Sequence, residues 1–166
     1  MGGTIVAVTQ WLDTEEMAAW RGLIEVSTAL HSVIEAQLLK GHALTEGEYA
    51  ALVVLSEAPG RRLRMCDLAA KLFLTPSGLT RRLDRLVSER FVSRDPSPDD
   101  RRVSMATLTD AGFAKLEAAA PDHVCDVRRH LLDHLSRAEI VALASILSGL
   151  SAVISQGATA VVAGSP

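Results

Sequence analysis

Residues 75–102 read TPSGLTRRLDRLVSERFVSRDPSPDDRR, and this stretch decides the fold. Thr75 is suited to cap a helix with its hydroxyl, and Pro76 suits the first helical position, where its missing N–H costs nothing. Apolar side chains then recur at helical spacing, at Leu79, Leu83, Leu86 and Val87. The pattern predicts a short amphipathic helix. Its polar side carries Ser77, Thr80, Arg81, Asp84, Arg85 and Ser88.

The residues after this helix predict a β-wing. A strand-like segment, 91–94, is followed by a loop that contains Pro96 and Pro98, and a second β-rich segment covers 103–108. Prolines stiffen a loop and prevent regular pairing within it. Helix, strand, arginine-bearing loop and strand is the order of a winged helix-turn-helix. Residues 61–64 could add a short strand beside the wing. Residues 65–73 predict the helix that braces the amphipathic helix beginning at Pro76, which is the recognition helix in this arrangement.

The polar side of the helix suits the major groove of DNA. Arginine can bond guanine edges bidentately, and hydroxyl groups reach phosphates and base edges. The candidate reading residues are Ser77, Thr80, Arg81 and Arg85. On the wing, Arg94, Arg101 and Arg102 could reach phosphates or the minor groove. The alternative for a single basic helix is an ordinary solvated face.

Three motifs resemble the MarR family of bacterial transcriptional regulators. They are Leu68-Ala69, the run TRRLDRL from Thr80 to Leu86, and Asp100-Arg101-Arg102 leading into LTDAG from Leu108 to Gly112. The resemblance covers about residues 13–155. It implies a winged helix-turn-helix homodimer, most often a repressor, with Asp100 bracing Arg102 through an ion pair. Arg90 departs from the pattern, because family members commonly place a glycine there to close the recognition helix.

The charge distribution agrees with a DNA-binding region on an acidic body. Residues 61–102 hold 11 Lys/Arg and 6 Asp/Glu, a balance of +5, whereas the rest of the chain has a balance of −8. The total of −3 therefore conceals a basic segment that is suited to the DNA backbone.

The chain as a whole predicts a mainly α fold with a small β-wing. We interpret 1–166 as a single domain, with a winged helix-turn-helix region at 45–108 and dimerisation helices at 13–40 and 109–156. Capping boxes are predicted at Asp13/Glu16, Thr45/Glu48 and Ser136/Glu139. A helix that begins at Thr109-Asp110 is expected to include Leu131 and Leu135 in its apolar set and to be kinked by Pro121.

The flanking helices predict a homodimer. They are more apolar than one small head requires, and exposed apolar surface is usually an interaction site. In the resembled family the termini interleave around a two-fold axis, which would place two recognition helices about 34–36 Å apart and imply an inverted-repeat operator. A monomer with a larger helical core is the alternative.

Several side chains could sense a signal. The resemblance implies an effector, such as an aromatic acid, between the dimerisation helices and the head, where Trp20, His31 and Arg64 are candidates, although core packing is the simpler interpretation of Trp20. His123, His130 and His134 form a possible metal-binding stripe if they share one helix, but solvated histidines are favoured. Cys66 could respond to oxidants, but a buried structural cysteine is the favoured interpretation.

Other classes of function fit the sequence less well. There is no phosphate-cradling glycine-rich loop, no His-Glu-x-x-His and no Gly-x-Ser-x-Gly, so we expect neither an enzyme nor a cofactor. The two cysteines form no metal or disulfide framework. We expect no signal peptide, no membrane span and a cytoplasmic location. A helical adaptor that has lost DNA binding is the alternative function, but it should lack the arginines of the helix and wing.

Overall fold

The computed structural model describes the backbone of residues 9–97 and 100–163, and the side chains of 9–97 and 100–154. The helices are α1 (Thr14–His42), α2 (Glu46–Ser56), α3 (Met65–Lys71), α4 (Pro76–Ser88), α5 (Asp110–His130) and α6 (Arg137–Ala163). The strands are β1 (Arg62–Arg64), β2 (Val92–Pro96) and β3 (Ser104–Leu108). Short 3-10 turns lie at Pro59–Arg61 and Leu132–His134. The predicted mainly α fold with a small β-wing is confirmed.

The chain forms two compact units, residues 1–119 and 120–166. The first contains α1 to α4, the sheet and the start of α5, so it holds all of the predicted helix-turn-helix and wing. The second contains the end of α5 and α6. The division of the chain into reading and dimerisation parts stays a prediction.

The helix starts follow the predicted caps. The Asp13 carboxylate accepts the Glu16 N–H at 2.8 Å while the Glu16 carboxylate accepts the Asp13 N–H at 2.9 Å. The same reciprocal pattern joins Thr45 with Glu48 at the start of α2. Each pair satisfies backbone donors that have no partner within the helix, so local sequence fixes where these helices begin.

The core of the first unit holds the recognition helix in place. Side chains from α2, α3, α4 and the sheet are all less than 5% exposed: Leu52, Leu55, Leu68, Leu79, Leu83, Leu86, Val92, Ala106 and Leu108. Burying a leucine side chain contributes about 1.5–3 kcal/mol. The apolar stripe predicted for α4 is therefore its inner face, and the opposite face remains available for a ligand.

The sheet has the order β1-β3-β2, and both pairs are antiparallel. The segment at 61–64 does supply the short third strand, in which Leu63 pairs with Ala106. Across the other edge of β3, Arg94 pairs with Ala106. Pro96 ends β2 opposite Ser104 and so is part of the ladder, contrary to the prediction that both prolines lie in an unpaired loop. Pro98 lies outside the described residues.

The second unit corrects the predicted length of the helix after the wing. The helix α5 ends at His130, and Leu131 has φ −134° and ψ −67°, outside the helical region. Leu131 and Leu135 therefore do not belong to α5 as predicted. Pro121 lies inside α5, and α6 begins at the predicted capping box, where Ser136 N–H donates to Glu139 at 2.7 Å.

Most described side chains of α6 are exposed in the single chain. Its segment Arg137–Ile154 has a mean hydropathy of 1.6 and no buried part, and it is the one described segment that could cross a membrane by length and composition. A single helix of this kind is a weak indication of a membrane span, because core helices of soluble proteins can have the same length and hydropathy. The expectation of no membrane span stays a prediction.

Candidate nucleic-acid interface

The recognition helix α4 begins as predicted. Thr75 is its N-cap, with its hydroxyl accepting the Gly78 N–H at 3.1 Å, and Pro76 is its first residue. Ser77, Thr80 and Arg81 lie exposed on its polar side. The Thr80 hydroxyl donates to the Pro76 carbonyl at 3.1 Å, an arrangement that leaves its lone pairs free to accept. These three side chains form a compact polar surface near the N-terminal end of a rigidly seated helix.

Arg85 does not belong to that free surface. Its Nε donates to Glu48 Oε1 at 2.7 Å, and its terminal nitrogen contacts both Glu48 Oε2 and the Ala43 carbonyl. The Glu48 side chain is only 6% exposed, so its charge requires a partner. Arg85 is 44% exposed, but these bonds hold α4 to α2, so its guanidinium is not free on the polar side of α4 and its predicted contact with DNA stays a prediction. No sequence pattern pointed to this contact.

The ion pair also changes the pKa values of both partners. Burial raises the pKa of Glu48, but hydrogen bonds from the Arg85 side chain and from Thr45, together with the charge of Arg85, outweigh burial and leave it lowered. The hydrogen bond to Glu48 raises the pKa of Arg85. Both groups are therefore charged at neutral pH. Glu48 combines a capping role, which follows from its spacing from Thr45, with an ion pair to Arg85 that no local spacing indicates.

Arg82 is a second arginine of α4 that lies against α2. A Cβ added at Gly47 would lie 1.7 Å from an Arg82 terminal nitrogen, so the guanidinium covers the bare backbone of this glycine. The glycine is the only sequence signal of the contact. Arg81 is exposed and lines an open cavity of about 500 Å³ with Gly47, Glu48 and Arg82. Among the described contacts its guanidinium has no hydrogen bond or ion pair, whereas Arg82 and Arg85 both contact α2.

Arg94 has a different place from the one predicted for it on the wing. Its terminal nitrogen donates to the Thr80 carbonyl at 2.7 Å and lies 3.3 Å from Asp84 Oδ1. The side chain is 24% exposed, and it connects β2 with α4. The structure therefore directs Arg94 toward the recognition helix, not outward from the wing.

The wing loop keeps two arginines in solvent. Arg101 and Arg102 are both exposed. The Asp100 carboxylate accepts the backbone N–H of Arg102 at 2.9 Å, and the Asp100 carbonyl accepts the Val103 N–H at 2.9 Å. The expected ion pair between the side chains of Asp100 and Arg102 is not among the contacts of the described residues. Asp100 braces the backbone of the loop instead, which leaves both guanidinium groups outward.

The LTDAG segment connects the recognition helix to α5. The Thr109 hydroxyl donates to the Arg90 carbonyl at 2.8 Å and accepts the Gly112 N–H at 3.0 Å. The Thr109 N–H donates to the Phe91 carbonyl at 3.0 Å. A Cβ at Gly112 would lie 2.1 Å from that carbonyl oxygen, so only glycine allows the approach. The motif is therefore a joint between the end of α4 and the start of α5.

Arg90 occupies the position where the resembled family commonly has glycine. It adopts a left-handed conformation with φ of 60°. Arg90 N–H donates to Val87 and Phe91 N–H donates to Leu86, which is the Schellman pattern that closes a helix. The left-handed conformation costs a non-glycine residue about 1–2 kcal/mol. The helix ends where a glycine would have ended it, and Arg90 adopts the strained conformation.

The three predicted effector contacts do not share one cavity. Trp20 is 54% exposed and lines an open cavity of about 710 Å³ formed by residues of α1 alone. His31 Nδ1 is 2.7 Å from the Glu46 carboxylate, and Arg64 is exposed at the end of β1. Trp20 is thus not packed in the core of the single chain, contrary to the simpler interpretation.

The predicted sensors of metal and redox state are also placed differently. His134 lies in the 3-10 turn after α5, so the three histidines do not form a stripe on one helix. Its Nε2 is 2.8 Å from the Arg129 carbonyl. The residues that the structure describes contain no group of three or more potential metal ligands. Cys66 is exposed, so its interpretation as a buried structural cysteine is wrong.

Comparison with known proteins identifies similar chains. The MarR family model matches residues 44–104. The structure of Sco3205, a MarR family transcriptional regulator from Streptomyces coelicolor in complex with DNA, is 35% identical, covers 87% of this chain and 91% of its own, and has a TM-score of 0.83. AbsC, a MarR family regulator from the same organism, is 35% identical over 88% of this chain and 98% of its own, with a TM-score of 0.82. The transcriptional repressor YetL of Bacillus subtilis is 31% identical over 68% of this chain and 66% of its own.

Proposed function

This chain belongs to the MarR family of DNA-binding transcriptional regulators, and on that premise we propose that it is a homodimeric repressor. The dimer binds an inverted-repeat operator and dissociates from it when a small-molecule effector binds. One observation carries the proposal. The helix α4 buries its leucine face and leaves Ser77, Thr80 and Arg81 in solvent, beside a wing loop with two outward arginines. This arrangement has no evident use in folding.

In the proposed complex, α4 enters the major groove with its N-terminal end. Arg81 reads a base, since a guanidinium can donate two parallel bonds to a guanine edge. Ser77 and Thr80 bond phosphates or base edges and fix the register of the helix. Arg85 is left out of this set, because its guanidinium is engaged by Glu48.

The wing supplies contacts that do not depend on base sequence. Arg101 and Arg102 extend from a loop that Asp100 braces through its backbone bond. Their charges are suited to phosphates or to the minor groove beside the recognition helix. Each phosphate that is neutralised releases counterions, so these residues contribute a salt-dependent part of the affinity.

The homodimer rests on apolar surface that one chain leaves uncovered. On α1, Trp20, Leu23, Ile24 and Val26 are each at least 46% exposed. On α6, the large apolar side chains that are 44–69% exposed are Val141, Ile146, Leu147, Leu150, Val153 and Ile154. A second copy that covers these faces would remove them from water, and two-fold symmetry would set the α4 helices about 34–36 Å apart.

Repression and its release are proposed from the family and from YetL, which is named a repressor. An effector such as an aromatic acid would bind near Trp20, in the part of the α1 cavity that the second copy leaves open. His31 and Arg64 do not line that cavity, and His31 is engaged by Glu46, so the proposed site is limited to Trp20 and its neighbours on α1. The effector lowers DNA affinity only if it binds more tightly to a conformation whose helix spacing does not fit the operator.

The first test is selection of genomic DNA fragments by the purified protein at two salt concentrations. We expect the recovered fragments to share an inverted repeat whose half-sites are one turn apart. Recovery of nothing above the background of random DNA, with the protein folded, would contradict the proposal. It would favour the adaptor interpretation, in which the fold is kept without DNA binding.

Two substitutions then separate the roles of helix and wing on the selected operator. Arg81→Ala should cost about 1–3 kcal/mol and relax selectivity at one base pair of each half-site. Arg102→Ala should weaken binding to operator and random DNA alike, and reduce the salt slope by about one unit. Arg137→Ala, which removes an exposed charge at the start of α6, is the control and should change neither property.

The dimer is tested separately by sedimentation. Leu150→Asp places a carboxylate on the exposed apolar side of α6 and should produce monomers at concentrations where the wild type is dimeric. A dimer that is unchanged in this variant would show that α6 is not the interface at that position.

A further inference from the structure

Arg94 makes two contacts with α4 that its position on β2 does not require. Its terminal nitrogen is 2.7 Å from the Thr80 carbonyl oxygen and 3.3 Å from Asp84 Oδ1. On the sheet, Arg94 pairs with Ala106, which is fully buried, so its backbone lies in the middle of the wing ladder. One side chain thus joins the wing to the second turn of the recognition helix.

The contact with Thr80 uses spare capacity of the helix backbone. A carbonyl oxygen has two lone pairs, and the i+4 N–H of the helix uses only one of them. A guanidinium donor makes a charge-assisted bond to the other, which is stronger than a neutral one. The carbonyl belongs to Thr80 and adjoins Arg81, so the bond is made to the peptide unit between the two proposed reading residues.

Burial distinguishes Arg94 from the arginines of the wing loop. Its side chain is 24% exposed, whereas Arg101 and Arg102 are exposed. Its Nε is buried and has no hydrogen-bond partner among the described residues, an unfavourable state that the contacts of the terminal nitrogen must outweigh. A side chain held in this way has little freedom to reach out toward a phosphate.

Asp84 gives the contact an electrostatic function. Its carboxylate is 61% exposed on the polar side of a helix that we propose to lie in the major groove. An unpaired negative charge there would repel the phosphates. The guanidinium of Arg94 neutralises the Asp84 carboxylate, and the same ion pair fixes the orientation of the wing relative to α4.

We infer that Arg94 is a positioning residue for DNA recognition, which clamps the wing to α4 through the Thr80 carbonyl and the Asp84 carboxylate without itself contacting DNA. The inference rests on the proposed function. It predicts that loss of the clamp reduces discrimination between operator and random DNA, because the reading helix and the wing no longer engage the duplex in one fixed geometry.

The test compares Arg94→Met, Asp84→Asn, the double variant and Arg94→Lys. Methionine retains an apolar stem but has no donor, and the double variant removes the clamp without changing the net charge. Affinities are measured on operator and random DNA at several salt concentrations, well below the unfolding midpoint of each variant. Arg102→Ala is the reference for loss of a proposed phosphate contact.

For the double variant, we expect operator affinity to fall by about 5- to 100-fold, the range for one lost specific contact, while random-DNA affinity stays the same. Arg94→Met alone leaves the Asp84 charge unpaired, so it should weaken binding to both DNAs and to the operator more strongly. The salt slope of the double variant should match that of the wild type. Arg94→Lys, which retains the charge on a single donor nitrogen, should recover part of the operator affinity. An equal loss on both DNAs with a slope reduced by about one unit would identify a phosphate contact and overturn the inference.

A measurement without DNA keeps this result separate from failure of the proposed function. If the clamp exists, the shifts in unfolding midpoint for Arg94→Met and Asp84→Asn are not additive, since the second substitution removes a contact already lost. Additive shifts would overturn the clamp whatever the protein binds. Non-additive shifts in a protein that selects no operator would reject the proposed function and, with it, a positioning role in DNA recognition.

Discussion

Replacing Arg85 with alanine tests whether an arginine of the recognition helix stabilises the fold instead of reading DNA. The side chain bonds a carboxylate that is 6% exposed and a backbone carbonyl at the end of α1. The substitution removes these bonds and leaves Glu48 with its contacts to Thr45. The neighbouring Arg81→Ala is the matched control, because Arg81 is exposed on the same helix.

The size of the effect follows from the burial of the two partners. Loss of one member of a buried ion pair costs about 3–5 kcal/mol. Arg85 is itself 44% exposed, so solvent screens part of the interaction, and water can enter the space that the side chain leaves. We therefore expect a loss of about 2 kcal/mol in the free energy of unfolding, or roughly 4–8 °C in the unfolding midpoint of a chain of this size.

The loss should depend on pH. The pKa of Glu48 in the folded protein lies below its ordinary value, so the stabilisation by its ionised form is present above about pH 4.3 and is lost as pH falls through the folded pKa. Without Arg85, only the hydrogen bonds from Thr45 offset the effect of burial, so the pKa of Glu48 in the folded protein rises. The stability difference between wild type and variant should therefore be largest near neutral pH and shrink in acid.

The assay is denaturant unfolding at pH 7 and pH 4, at one protein concentration because dimerisation adds to stability. Arg81→Ala should unfold like the wild type at both pH values while losing selective DNA binding. If Arg85→Ala has wild-type stability at pH 7 and instead loses selectivity for the operator, Arg85 is a reading residue and the interpretation of its ion pair is wrong.

Two further substitutions test the packing that holds the interface. Gly112→Ala should destabilise the fold by more than about 1 kcal/mol, because its Cβ would lie 2.1 Å from the Phe91 carbonyl oxygen. Gly41→Ala is the control: its Cβ would meet nothing within 4 Å in the last turn of α1. This substitution should be neutral or stabilising by up to about 1 kcal/mol. Equal unfolding midpoints for the two variants would contradict the claim that Gly112 allows the close approach between the end of α4 and the start of α5. Leu83→Ala should cost about 2–5 kcal/mol, since this side chain is 0% exposed beneath the reading face, and a loss below about 1 kcal/mol in calorimetry would show that the apolar stripe of α4 contributes little.

Features that depend on local sequence were predictable. The start of α4 follows from a hydroxyl and a proline at adjacent positions, and its inner face follows from the spacing of its leucines. The capping boxes at Asp13 and Thr45 are set by residues three positions apart. Each of these signals acts within one or two helical turns, so no knowledge of the tertiary fold is needed to read it.

The roles of the arginines were not predictable in the same way. Arg85 lies 37 positions from Glu48, and Arg94 lies 14 positions from the carbonyl of Thr80. All the arginines of this segment look alike in sequence, and only the fold shows which ones have a protein partner. The sequence thus identified a basic surface but not the subset of its charges that remains free.

Helix ends were harder to predict than helix starts. Phe73 and Arg90 both close a helix in the left-handed conformation that glycine favours, with φ of 53° and 60°. The end of α5 at His130 also lacks a glycine or proline signal, and apolar residues continue past it at Leu131 and Leu135. No glycine marks these ends in the sequence, so hydrophobic periodicity alone extended α5 too far.

The most direct test of the central claim is protection of guanine N7 from methylation on the selected operator, because N7 faces the major groove. We expect the wild-type protein to protect symmetric positions in two half-sites whose centres are about 10 base pairs apart, and Arg81→Ala to lose protection at the same position in both. Protection in a single half-site, or none in the major groove despite tight binding, would contradict the claim that paired α4 helices read DNA.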